Sequence, residues 1–188
     1  MPHRRRREDR TNYKLRLALV KSKKPRIVVR RFLSNITCQI IVFDAKGDKV
    51  VASSDSKELK KYGWNLNCGN IPAAYLTGLI CGMRAKKGKV KEAIFDSGLQ
   101  TSTKGSRLYA AIKGAVDGGL QVIHEDKILP DAERIKGSHI AKFAEKMKSE
   151  NPGGYKKIFA DYLKNKVEPE KLPEVFDKVR ASIMQKAE

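Results

Sequence analysis

Residues 25–54, PRIVVRRFLSNITCQIIVFDAKGDKVVASS, constrain the fold more tightly than any other stretch. Ile27 to Leu33 and Ile36 to Phe43 are rich in β-branched and aromatic residues, the composition of strands. Ser34-Asn35 parts these two runs, and Asp44 to Asp48 parts the second from a third, Lys49 to Ser54. Gly47 is the natural positive-φ residue of that second turn. Along the second run Ile36, Cys38, Ile40 and Val42 share one face at period two, with Thr37 and Gln39 on the other. The reading is a three-stranded antiparallel meander with one buried face. In the first strand Arg26, Arg30 and Arg31 interrupt Ile27, Val28 and Val29, so guanidinium groups are expected on the rim, facing phosphate.

Charge narrows the partner. The chain has 188 residues, enough for one domain with a real core, and a net charge of +19. Residues 1–31 hold 13 Lys and Arg against Glu8 and Asp9, a net +11 in a sixth of the chain. Such concentration points to a polyanion. Membrane surfaces are polyanions too, but no apolar run approaches the ~18 residues of a span. The arm also lacks the wide aromatic face of an interfacial helix, so no membrane partner is expected. Cys38, Cys68 and Cys81 are odd in number and lack Cys-x-x-Cys spacing, and read as reduced structural thiols of a cytosolic protein.

Three segments follow from the pattern. Residues 1–24 form a basic N-terminal arm, whose first ten residues are expected to be disordered in isolation and whose Tyr13 to Val20 stretch is expected to be a short helix. Residues 25–150 form an α/β domain. After the meander come a polar loop (55–70), a helix from Ile71 ending near Gly88, a strand Glu92 to Asp96, and a helix Ser106 to Val116 stopped by Gly118-Gly119. A strand at Leu120 to Ile123 completes a parallel βαβ unit. Asp131 caps a helix running to about Lys148, and residues 151–188 form a C-terminal helical extension with nothing to name its docking surface. Ala74, Gly78, Gly82 and Ala85 make a small-residue stripe suited to close helix packing. The sum is a mixed five-stranded sheet with flanking helices, the layout of ribonuclease-H-like folds.

That layout raises a metal-dependent nuclease as one reading, since such enzymes hold two Mg²⁺ ions on clustered carboxylates. Asp44 and Asp96 stand near strand ends, but Ile71 to Gly88 contains no Asp or Glu to supply a third. His3, His124 and His139 read as structural or solvent-facing, and no phosphate-binding glycine fingerprint occurs. No catalytic residue, metal or cofactor is therefore expected. RNA binding is better supported. Arg4, Arg5, Arg6, Arg7, Arg10, Lys14, Arg16, Lys21, Lys23, Lys24, Arg26, Arg30 and Arg31 supply phosphate contacts. Tyr13, Phe32, Tyr62 and Trp64 offer flat faces to unpaired bases, each with a core role as its alternative.

Four segments carry a resemblance: KPRIVVRRFLSNITCQII (Lys24 to Ile41), YGWNLNCGNIPAAYLTGLICG (Tyr62 to Gly82), AIFDSGLQTSTKGSRLYAAIKGAVDGGL (Ala93 to Leu120) and LPDAERIKGSHIAKF (Leu129 to Phe143). In that order they resemble the universal 5S-rRNA-binding "L-eighteen" family of the large ribosomal subunit, in its archaeal form. The resemblance implies a ribonuclease-H-like scaffold without activity, cytoplasmic and in the large subunit. It implies that arm and meander bind 5S rRNA, anchoring it to the central protuberance and 23S rRNA, beside another 5S-binding ribosomal protein. By position, Arg26, Arg30, Arg31, Ser34 and Asn35 match the family's RNA contacts, and Lys104, Gly105, Ser106 and Arg107 match its second basic loop.

Overall fold

The computed structural model describes residue 2, residues 4–165 and residues 167–186; His3 lies outside the described residues. Strands β1 (Arg26–Arg31), β2 (Ile36–Val42) and β3 (Lys49–Asp55) form the predicted antiparallel meander. Strand β4 (Glu92–Asp96) pairs parallel with β1, and β5 (Gln121–Val122) parallel with β4, giving the order β3-β2-β1-β4-β5. This is the expected mixed five-stranded sheet, compatible with a ribonuclease-H-like layout. Ile27 and Val29 face Ile40 and Cys38 across the β1–β2 ladder and turn into the core. Arg26, Val28 and Arg30, opposite Ile41, Gln39 and Thr37, fall on the other face by the two-residue alternation of a strand.

Ahead of the sheet come α1 (Arg4–Arg7) and α2 (Tyr13–Lys21). The first ten residues, read as disordered, instead include the single turn α1. Glu8 explains it, reaching Arg4 at 3.8 Å and Arg10 at 3.3 Å and so offsetting the local repulsion. Asn12 caps α2 through its side chain, and neither helix buries a residue. The stretch read as a polar loop after β3 contains a 3₁₀ helix, Ser56–Tyr62. Asp55 and Glu58 make a reciprocal capping box at its start, and the Arg84 guanidinium holds Glu58 below the usual carboxylate pKa.

The core lies between the sheet and α3 (Ile71–Lys87) and α4 (Arg107–Asp117), which pack side by side on the Ile27/Cys38/Ile40 face. Their glycines meet backbone to backbone, as the small-residue stripe predicts. Cys38 and Cys81 are buried and hydrogen-bonded to one another, and that bond with burial pushes the Cys38 thiol up; all three cysteines are free. The helix expected from Asp131 to Lys148 is instead two, α5 (Ala132–Lys136) and α6 (Ser138–Glu150). Gly137 separates them at φ 84°, where a Cβ would come within 2.2 Å of Leu172 Cδ2. Close approach of a later segment thus breaks a run that local propensity would continue.

After Asn151 come α7 (Pro152–Ile158), α8 (Ala160–Lys164) and α9 (Leu172–Gln185). Tyr155 and Phe159 form a small cluster with Ala144 of α6. Helix α9 has a different fate: Leu172, Phe176, Val179 and Ile183 join the main core, with Phe176 against Tyr75 of α3 at 5.6 Å between ring centroids. The extension's docking surface is therefore α3, the 3₁₀ helix with the segment after it, and the α5–α6 corner. Among the described residues no helix is long and apolar enough to cross a membrane.

Candidate nucleic-acid interface

The face of the sheet away from α3 and α4 carries an ion-pair chain. Arg26 donates to Asp48 at 2.7 Å and to Asp96 at 3.0 Å, and Arg16 of α2 donates to the same Asp48 oxygen at 2.9 Å. Asp96 also accepts from Gly98 N, bracing the loop that follows β4. The chain ties the arm, the β2–β3 turn, β1 and β4 together beside a cleft of about 530 Å³ lined by Arg5, Arg10, Leu15, Val28, Arg30 and Gln100. Arg26, read from sequence as a phosphate contact, is only 4% exposed with both ends of its guanidinium engaged. A buried guanidinium is tolerated when paired and hydrogen-bonded, and here it positions the surface rather than presenting charge. Arg26→Ala is expected to destabilise the protein by about 3 kcal/mol, because it removes two buried charge-assisted bonds at once and leaves Asp96 only the Gly98 N–H and Asp48 only Arg16. Arg30→Ala and Arg31→Ala, whose side chains lie on exposed positions, should stay within about 0.5 kcal/mol. Urea unfolding of the three variants separates these outcomes.

Beyond the cleft, the β1–β2 turn stands at the rim. Phe32 N donates to Asn35 O at 2.8 Å and closes a tight hairpin. Arg107, in the first turn of α4, donates to Gly69 O at 2.7 Å and to Phe32 O at 3.4 Å. Burial, and then the charge of Arg31 beside it, lower the Arg107 pKa from the usual guanidinium value. Gly69 lies so close beneath the turn that a Cβ there would meet Leu33 O at 2.9 Å. Gly105, at φ 66°, donates to Ile128 O, and the loop it ends is tied back to β1 by Gln100, which donates to Val29 O at 2.8 Å. Hairpin tip and α4 N-terminus are therefore braced neighbours, and the arm reaches toward them along the cleft as far as Arg30.

The sequence-predicted contacts divide in two. Arg6, Arg7, Lys14, Lys21, Lys23, Arg30, Arg31 and Lys104 are exposed and have no carboxylate in ion-pair range among the described residues; Ser34 is exposed as well. Others are engaged within the fold. Lys24 pairs with Glu92 at 2.8 Å, Asn35 donates to Asp55, and Arg5 donates to Thr11 Oγ1 and Arg10 O. Ser106 begins α4 without a side-chain cap, its hydroxyl inaccessible and unpartnered. Tyr13 is half-buried at the start of α2. Trp64, read as a stacking face, is fully buried and donates its indole N–H to Asn67 O, so it is a core residue. Tyr62 is half-buried against the core beneath Lys186. Sequence reasoning missed Asp48, the anion that binds Arg16 and Arg26, and the exposed Leu33. Only the strand register could have found the first.

The carboxylates of the nuclease reading are dispersed. Asp44 accepts from Lys46 N and pairs with Lys49 at 2.5 Å, which holds its carboxyl below the usual range, whereas Asp96 serves Arg26 and Gly98. Among the described residues no cluster of three His, Cys, Asp or Glu could hold a metal ion.

Comparison with known proteins bears on the same surface. The model of the family described as "Ribosomal large subunit proteins 60S L5, and 50S L18" matches residues 1–92 and 85–125. A Korarchaeum cryptofilum protein named large ribosomal subunit protein uL18 is 54% identical over 176 residues, covering 94% of this chain and 89% of the relative. A Methanococcus maripaludis protein of the same name is 47% identical over 184 residues, 98% of this chain and 95% of the relative. The matched residues take in the arm, the meander, both core helices and the α4 N-terminus. The chain belongs to the ribosomal large-subunit family of 60S L5 and 50S L18, a structural and not an enzymatic family.

Proposed function

We propose that this protein binds 5S rRNA and anchors it to 23S rRNA and the central protuberance, beside another 5S-binding ribosomal protein. The observation that supports it most directly is the set of exposed cations without ion-pair partners from three sources, the arm, the end of β1 at the hairpin and the loop before α4, of which the last two are braced on the fold and the first is tied to the sheet through Arg16. Polyphosphate binding draws its affinity from such cations, and fixed placement lets them discriminate RNA shapes. In this reading residues 1–24 are the RNA-binding arm, 25–150 the scaffold, and 151–188 an extension whose last helix is built into the scaffold's core. The nuclease alternative finds no support in the dispersed carboxylates.

The test is a gel-retardation titration of the full chain with 5S rRNA and with tRNA as competitor. Preferential retardation of 5S rRNA is the expected result. Equal affinity for both would reduce the protein to a general polyanion binder and overturn the reading.

A further inference from the structure

The tip of the β1–β2 hairpin is apolar where everything around it is cationic. Phe32 is 51% exposed and Leu33 97% exposed, yet they do not sit on a loose loop. The Phe32 N to Asn35 O bond, the Arg107 guanidinium bridging Phe32 O to Gly69 O, and the close seat over Gly69 hold the turn in place. Exposed apolar side chains on a braced turn add nothing to the core, so their placement calls for a partner. Strand alternation sends Arg30 to the arm side of the sheet and Arg31 to the helix side, with Arg107 beside it, so cations flank the tip on both sides.

We infer that the Phe32-Leu33 tip is a reader of unpaired nucleotides: Phe32 stacks on the face of an exposed base while Arg30 and Arg31 hold the adjoining phosphates. The inference rests on the proposal that the chain binds RNA and adds where, and in what state, a nucleotide is recognised. A polyanion that also offers flat apolar faces matches this surface. A perfect duplex does not, because its bases are stacked on one another and only phosphate is on display. A protein partner would need acidic groups around an apolar pocket, and it forms the competing outcome of the test.

Phe32→Trp supplies a reporter, since the native Trp64 is buried and hydrogen-bonded within the fold. The full-length variant is titrated with single-stranded poly(A), with 5S rRNA and with a perfectly paired RNA duplex. Expected are quenching by poly(A) and 5S rRNA and none by the duplex. In parallel, Phe32→Ala should weaken 5S rRNA binding about 5- to 100-fold, with the salt slope and melting temperature unchanged. Absence of quenching by either unpaired RNA would overturn the inference. So would an emission change seen only on adding a neighbouring large-subunit protein, which assigns the tip to a protein contact. Failure of the wider reading looks different: the wild type then loses its preference for 5S rRNA over tRNA, while the poly(A) titration still decides the tip.

Discussion

Deleting residues 1–23 is expected to weaken 5S rRNA binding by about 10³-fold or more and to leave a folded domain behind. The segment contains Arg4, Arg5, Arg6, Arg7, Arg10, Lys14, Arg16, Lys21 and Lys23. If about six of these neutralise phosphates, their counterion release accounts for an affinity that falls on the order of 10³-fold between 50 and 200 mM salt. The fold loses little, because α1 and α2 bury no residue and Arg16 holds them to the sheet through a partly exposed ion pair with Asp48. Asp48 keeps Arg26 when Arg16 is gone, so the melting temperature should drop by only a few degrees at most. Arg30→Ala with Arg31→Ala should behave differently, with a smaller change in salt slope but a larger loss of discrimination against tRNA. Binding isotherms at several salt concentrations, with a melting curve for each variant, make the comparison. Undiminished affinity in the truncated protein would place the RNA site elsewhere.

Gly78→Ala is expected to cost more than about 4 kcal/mol, enough to unfold a domain of ordinary stability. A Cβ at Gly78 would lie 1.9 Å from Ala111 O, and one at Gly114 would lie 2.0 Å from Tyr75 O. Both obstacles are backbone, so no side chain can swing aside. Helices α3 and α4 would have to part by about 1 Å or more, opening gaps along a face where Leu76, Leu79, Leu108 and Ile112 are fully buried. At Gly47, by contrast, a Cβ meets nothing, and only its φ of 148° resists substitution. Thermal unfolding of Gly78→Ala beside Gly114→Ala checks the claim. A loss below about 1 kcal/mol in both would show that the helix pair is looser than its geometry.

The residues that follow local rules were legible. Strand alternation in Ile36 to Val42, the Asn70-Pro72 start of α3 and the Gly118-Gly119 stop of α4 each announce their element within a few positions. What escaped depends on distant partners. Arg26 reads as a rim cation until its acids are brought in from 22 and 70 positions away. Trp64 stands in a polar stretch, and sequence leaves it open between a stacking face and a core residue until the fold buries it in the main core. The break at Gly137 is invisible because Leu172, which crowds it, lies beyond the intervening helices α6, α7 and α8. On the candidate interface, the basic residues could be named at once. Which of them are free could not, since that depends on Glu8, Asp48 and Glu92 taking some of them out of use.

The seat of α9 sets an order of events during synthesis. Tyr75 leaves the synthesising ribosome about a hundred residues ahead of Phe176, its ring partner. Through that interval the part of α3 that receives Phe176 lacks its cover, while the sheet and α4, all drawn from earlier residues, can already assemble against the rest of the helix. The nascent chain therefore passes through a nearly complete domain with one greasy side. Release of the final helix ends that exposure, and a chain cut short before Leu172 would keep it permanently and aggregate.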